Sequence, residues 1–234
     1  DNHNTGIPML PEVLPRKLTS IPGYEGYLVP EALTIAEILK TEGYQTYMTG
    51  KWHLGFGGEK TSALPFNRGF DRTFILDATG GDNFSNHSYL PYYKEAPWFK
   101  DGEPTQLPEN FYSSEFLIDE RIEYIDGGDK NKPFFSYVSF QAQHIPLQVP
   151  KEYTQKYLTL YEEGWDVLRN NRLNAARDKG LFPLDAPIVD SLSSLKKWEE
   201  IDGQRKKFLI KSAAVFAGML LSLIHISEPT RQAE

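Results

Sequence analysis

Residues 30–55 read PEALTIAEILKTEGYQTYMTGKWHLG, and the change of rhythm inside this stretch decides the fold class. Ala32, Ile35, Ala36 and Leu39 recur at i, i+3, i+4 and i+7, which places them on one face of a helix. Pro30 and Glu31 suit its first turn, Lys40 its last, and Gly43 stops it. Residues 44–49, rich in Tyr and Thr, then read as a short strand that Gly50 ends. The same sequence of events recurs downstream. Residues 111–125 carry Ile118, Ile122 and Ile125 on a helical face, Gly127 and Gly128 stop the helix, DKNK (129–132) turns, and PFFSYVSF (133–140) reads as a buried strand. Helix, glycine stop, strand and polar exit, found twice, predict an α/β sheet with parallel strands. Ligands of such sheets bind beyond the carboxyl ends of the strands. Lys51 and His53 follow the first strand and His144 the second.

Around these two units the chain is less regular. Residues 1–23 are loop-like, with Pro8, Pro11, Pro15 and Pro22 in quick succession. Residues 55–110 are rich in Gly, Pro, Asn and Asp and predict long loops with short strands. Two clusters there, FNRGFDRTF (66–74) and TGGDNFSNHS (79–88), are expected as surface loops lining a cleft. Residues 151–185 predict a charged helical segment ended by Gly180 and Pro183, and residues 191–221 a further loop and helix. The apolar run at 213–226 is short of the ~20 residues that span a bilayer, so a buried helix is expected and no membrane span.

Composition narrows the function classes. The 234 residues carry a net charge of -7, which speaks against a non-specific nucleic-acid binder, since that needs a cationic face. Aromatic residues at 13% imply a packed core. There is no cysteine, which excludes a disulfide scaffold, a thiolate metal site and a cysteine nucleophile within this sequence. The compartment stays open.

The candidate residues each have an ordinary explanation as well. Lys51 and His53, at i and i+2 of an extended chain, would point the same way and offer a fixed charge and an imidazole to an anion. A surface lysine and a packed loop histidine fit the same spacing. His144 sits where it could protonate a leaving group, with Pro146 and Pro150 stiffening the exit loop, or be satisfied by a backbone carbonyl. His87 reads as solvated. Asp77, Asp82 and Asn83 are oxygen donors that fit no regular calcium loop and read as ordinary loop residues. The triplets at Asn83 and Asn86 match the glycosylation acceptor pattern, a match frequent by chance.

GYQTYMTGKWHLG (43–55) resembles the second sulfatase signature. LTIAEILKTEGY, PFNRGFD (65–71), the His-x-Pro of PFFSYVSFQAQHIPLQVP (133–150) and KYLTLYEEGWDVLRNNRL (156–173) fit the same family. The resemblance is to bacterial-type arylsulfatases, covers residues 1–221, and implies an alkaline-phosphatase-like α/β fold with a mixed, mostly parallel sheet flanked by helices. It also implies a calcium- and formylglycine-dependent hydrolysis of aryl or carbohydrate sulfates, with a maturation system that makes the formylglycine. By this resemblance Lys51 contacts a sulfate oxygen and the leaving-group side. His53 hydrogen-bonds the formylglycine nucleophile, and His144 protonates the departing alcohol or phenol. A phosphonate or phosphodiester hydrolase of the same superfamily and a non-catalytic binder of sulfated glycans are the rival readings.

The departures from the family are informative. The C/S-x-P-x-R motif that supplies the nucleophile is matched only by Ser227, Pro229 and Arg231. These fall in SLIHISEPTRQAE (222–234), which resembles a translated sequencing adapter and is expected to be non-native. No metal ligand of the family has a counterpart. The expectation is therefore an inactive central fragment, residues 1–221, with an incomplete sheet, exposed apolar edges and poor stability alone. A periplasmic or extracellular parent is expected.

Overall fold

The computed structural model describes residues 2–78, 81–188 and 194–227. They form two compact units, Asp1–Pro146 with Leu223–Glu234, and Leu147–Ser222.

The first unit is built on a five-stranded sheet. Its elements in chain order are α1 (Ile35–Thr41), β1 (Gln45–Lys51), β2 (Arg72–Leu76), β3 (Trp98–Lys100), β4 (Glu103–Pro104), α2 (Ser113–Gly127) and β5 (Phe134–Ser139). The strand order is β4-β3-β2-β1-β5. β1 pairs in parallel with β2 on one side and β5 on the other, with Gly50 opposite Ile75 and Ser139. β3 and β4 add antiparallel to β2. The sheet is thus mixed, with its three longest strands parallel.

Alternation along the strands sorts side chains onto two faces. Tyr47, Phe74, Leu76 and Trp98 go to one face and meet Phe111, Leu117 and Tyr124 from α2 and its entry. Met48, Ile75 and Phe99 go to the other and meet Ala36 of α1 with Leu64 and Phe70. Each helix closes one face, which is why every strand residue from Thr46 to Gly50 is buried.

α1 starts later than its pattern suggests. Thr34 caps it, accepting from the Glu37 amide at 3.1 Å while Glu37 accepts from the Thr34 amide at 2.7 Å. Ala32 therefore lies before the helix, and of the expected apolar stripe only Ala36 is fully buried. On α2, Leu117, Ile118, Glu120 and Tyr124 are buried while Ile122 is 47% exposed. Of the expected isoleucine stripe, Ile118 is buried and Ile125 packs against the core, while Ile122 is displaced because Tyr124 and Phe116 fill the space against Tyr47 and Phe74.

Three further expectations change. The cluster FNRGFDRTF is a surface loop only at Phe66 and Asn67, and its later residues enter the core. Arg68 and Phe70 are buried, and the Arg68 guanidinium donates to Glu37 at 3.0 Å and to the carbonyls of Leu28, Val29 and Ala32. β5 is an edge strand whose Phe134 and Tyr137 are about half exposed, so it is not the buried strand that its apolar run suggested. Gly50 does not end β1. It sits inside the strand at φ 109, where a Cβ would overlap the Ser139 carbonyl of β5.

The second unit is helical: α3 (Lys151–Gln155), α4 (Trp165–Asp178) and most of α5 (Gly203–Ser227). The charged segment is two helices rather than one, broken at Gly164 (φ 87), where the Trp198 ring packs against the backbone. Trp165 and Trp198 meet edge to face with centroids 4.9 Å apart. α5 is longer than the apolar run, because the basic stretch from Arg205 to Lys211 joins it as helix. Gly203–Ile226 is long and apolar enough to cross a membrane by length and composition. Only 22% of its most apolar window is buried, so the expectation of a buried helix is not met. Residues 79–80 of the second loop cluster and residues 228–234 of the expected tail lie outside the described residues.

Gly50 and Gly43 (φ 83) share the left-handed backbone region, but only Gly50 faces a neighbouring backbone. Gly43→Ala should cost about 1 kcal/mol, and Gly50→Ala at least ~3 kcal/mol through strain and lost β1–β5 pairing. Urea midpoints of the two variants report the difference, and equal midpoints would contradict the close approach.

Candidate active site

The loop leaving β1 is fixed at each step. The Trp52 amide donates to the Leu76 carbonyl and its indole to the Ala63 carbonyl at 2.8 Å. Leu28 donates to the Leu54 carbonyl. Asp77, fully buried just past β2, accepts from the amides of Gly55 at 2.9 Å and Gly58 at 2.6 Å. Two backbone N–H groups on one carboxylate fold the loop back over the strand ends. Asp77 is thus neither a metal ligand nor an ordinary loop residue. Burial is the larger influence on it and raises its pKa to about 6, against the two amides that favour its charge.

Lys51 is the last residue of β1. Its side chain is half-buried, and its ammonium makes no hydrogen bond or ion pair among the described residues. Burial lowers its pKa, and the charge of Glu12 partly restores it. His53 has φ 63, so the chain is no longer extended there. The alternation expected to align Lys51 with His53 does not operate. Glu12 draws them together instead. Both of its carboxylate oxygens lie on His53 Nε2, at 2.8 and 2.9 Å, and its charge acts on Lys51. Tyr93 donates its hydroxyl to the same carboxylate at 3.0 Å. Burial works against the Glu12 charge, but the His53 hydrogen bond, its own backbone and Tyr93 prevail, and its pKa falls to about 2.

His144 lies in the loop after β5 and is exposed. Its Nδ1 is 2.7 Å from the Ile145 carbonyl and 3.3 Å from the Tyr89 hydroxyl. A carbonyl only accepts, so Nδ1 carries a hydrogen. Because β1 and β5 are parallel neighbours, both loops leave the sheet at one edge. One segment touches both sets: Tyr89 reaches His144 and Tyr93 reaches Glu12.

Glu12, Asp77, Tyr89 and Tyr93 were missed as site residues. Glu12 had no local signal beyond its place in a proline-rich loop. His87 is exposed, as expected. Asn83 is buried, with its oxygen accepting from Ser113 at 2.7 Å, which makes it a poor glycosylation acceptor. Among the described residues, no three His, Cys, Asp or Glu side chains come together as a metal site. With Asp77 committed to backbone amides and Asn83 to Ser113, the described donors do not fit calcium.

A family model described as Sulfatase matches residues 4–200. A sulfatase of Schizosaccharomyces pombe is 38% identical over an alignment covering 94% of this chain and 41% of its own length. An arylsulfatase of Klebsiella aerogenes is 32% identical over 86% of this chain and 43% of its own. The chain spans about two-fifths of the length of these relatives. Among solved structures, yidJ of Bacteroides fragilis, assigned as a sulfatase, superposes with a TM-score of 0.54 at 16% identity, covering 99% of this chain and 48% of its own. Ps i-CgsB, bound to k-i-k-neocarrahexaose, gives 0.51 at 18%, covering 88% and 38%. At these identities the likeness is one of fold, the alkaline-phosphatase-like mixed sheet flanked by helices.

The raised pKa of Asp77 has a consequence for stability. The folded chain holds a proton that the unfolded chain, with its carboxyl near 3.8, has already lost, so this contribution to stability declines as pH rises from about 4 to about 6. Glu12 acts in the opposite sense and at lower pH, between about 4.5 and about 2. Urea denaturation of wild type and Asp77→Asn at pH 4.5 and pH 7 separates the two. The wild type should lose ~2 kcal/mol relative to the variant across that interval. A constant difference would contradict the buried, proton-holding carboxyl.

Proposed function

The chain belongs to the sulfatase family, and we propose that its parent protein hydrolyses sulfate esters of phenols or carbohydrates, with Lys51, His53 and His144 in the catalytic site. The observation that carries this reading is Lys51. It is a half-buried ammonium with no ion pair among the described residues, at the carboxyl end of the middle one of the three parallel strands and within the field of Glu12. Such a charge, already partly dehydrated, interacts more strongly with an anion than a surface lysine does.

The roles are those that the family resemblance implies. Cleavage of a sulfate ester breaks the bond between sulfur and the ester oxygen, and negative charge grows on that oxygen and on the transferred group. Lys51 stabilises the non-bridging oxygens and the leaving side. His144, with Nδ1 beside the Ile145 carbonyl, is the proposed donor of the proton that makes the leaving oxygen a neutral alcohol or phenol. His53 lies on the exit loop of the neighbouring strand and, by the family resemblance, serves the nucleophile.

The nucleophile and the metal belong to the parent in this proposal. The sequence has no cysteine, and its only Ser-x-Pro-x-Arg match lies at 227–231, mostly outside the described residues. The formylglycine, the calcium and the maturation system therefore enter as properties implied by the family resemblance. Residues 1–221 are proposed as the native piece and residues 222–234 as a non-native tail.

Two outcomes are expected. The 234-residue chain should hydrolyse no aryl sulfate above a heat-killed control. In an active full-length parent, Lys51→Ala should lower kcat/KM for a sulfate ester by ~10²–10³. An unchanged rate would remove Lys51 from the site.

A further inference from the structure

Glu12 is buried to 4% side-chain exposure against a His53 side chain exposed to 10%. Both carboxylate oxygens lie within hydrogen-bond distance of one ring nitrogen, Nε2. An ionised carboxylate can only accept, so Nε2 must carry a hydrogen, and in the neutral ring the basic lone pair is then on Nδ1. Tyr93, whose own pKa is raised by burial and by the Glu12 charge, stays a hydroxyl and donates to Glu12. The carboxylate thus has two donors and no freedom to turn away. His53 needs this support, because its φ of 63 leaves the ring on a loop position that no strand pairing orients.

We propose that Glu12 is the positioning residue of His53: it locks the imidazole as the Nε2–H tautomer and leaves Nδ1 as the nitrogen that accepts a proton from the nucleophile. The role in turnover rests on the sulfatase reading above; the pairing itself does not. Glu12 reaches the site from a three-residue turn, Pro11–Val13, about forty residues before the histidine. The groups that share this electrostatic environment are Lys51, which Glu12 also faces, Asp77 across the loop, Tyr93, and the Arg16–Glu59 pair beside Tyr93. Of these, Glu12 alone is in hydrogen-bond contact with the His53 ring among the described residues.

The direct test is side-chain nitrogen NMR of His53 in the 234-residue chain, followed through a pH titration in wild type, Glu12→Gln and Glu12→Asp. The wild-type spectrum should show the neutral ring protonated on Nε2, and this reading needs no variant to fold. Glu12→Gln, whose amide nitrogen can donate to the ring, should lose the exclusive Nε2–H form, and Glu12→Asp should keep part of it. A wild-type ring protonated on Nδ1, or the same exclusive tautomer in Glu12→Gln, would overturn the proposal. In the active parent, Glu12→Gln should lower kcat ~10–100-fold with little change in KM and move the acid limb of the pH–rate profile to lower pH. A fall in kcat with an unmoved acid limb would reduce Glu12 to a packing role. If the wild-type parent hydrolyses no sulfate ester, the functional reading falls, while the tautomer and titration still decide the pairing.

Discussion

β1 is hydrogen-bonded along both edges to strands running in its own direction, and the rest of the first unit depends on that. A strand enclosed in this way must bury both faces, so its side chains from Thr46 to Gly50 are shielded and each face needs a helix to close it. α1 and α2 meet that need from opposite sides. The close approach also admits no side chain at residue 50, because the Ser139 carbonyl fills the space. Parallel pairing then brings the exits of β1, β2 and β5 to one edge, where Lys51, Asp77 and His144 emerge.

What happens at that edge is decided by carboxylates. Asp77 turns the β1 exit loop by accepting two of its amides. Glu12 closes over the loop from the N-terminal segment and holds His53. Both are buried, but their balances differ. Asp77 has only neutral backbone donors, so burial prevails and its pKa rises. Glu12 has an imidazole and a hydroxyl as well, and its charge survives burial. Among the described residues, Glu12 acts on Lys51 by its charge without contacting it, and the ammonium makes no ion pair.

The fold class was legible because the decisive features are local: a helix, a glycine stop and a strand, twice. The three candidate residues were legible because they follow strands directly, and the GKWHLG and His-x-Pro spacings carry the family resemblance. What escaped the sequence is non-local. Glu12 meets His53 across 41 positions and Tyr93 meets Glu12 across 81, and nothing in the local pattern of either marks a partner so distant. Arg68 read as a surface residue because arginine usually is one, yet four acceptors drawn from Leu28 to Glu37 satisfy it in the interior. Gly50 read as a stop because a close backbone approach has the same sequence signature as a turn. β5 read as buried because its residues are apolar, while its place at the sheet edge depends on which strands flank it.

The central claim is that Lys51, His53 and His144 share one anion site. Titrating inorganic sulfate into the isotope-labelled chain and following these three side chains by NMR tests it most directly. All three should shift together and fit a single dissociation constant that weakens with added salt. Independent shifts with different constants, or a response of Lys51 without either histidine, would contradict a common site.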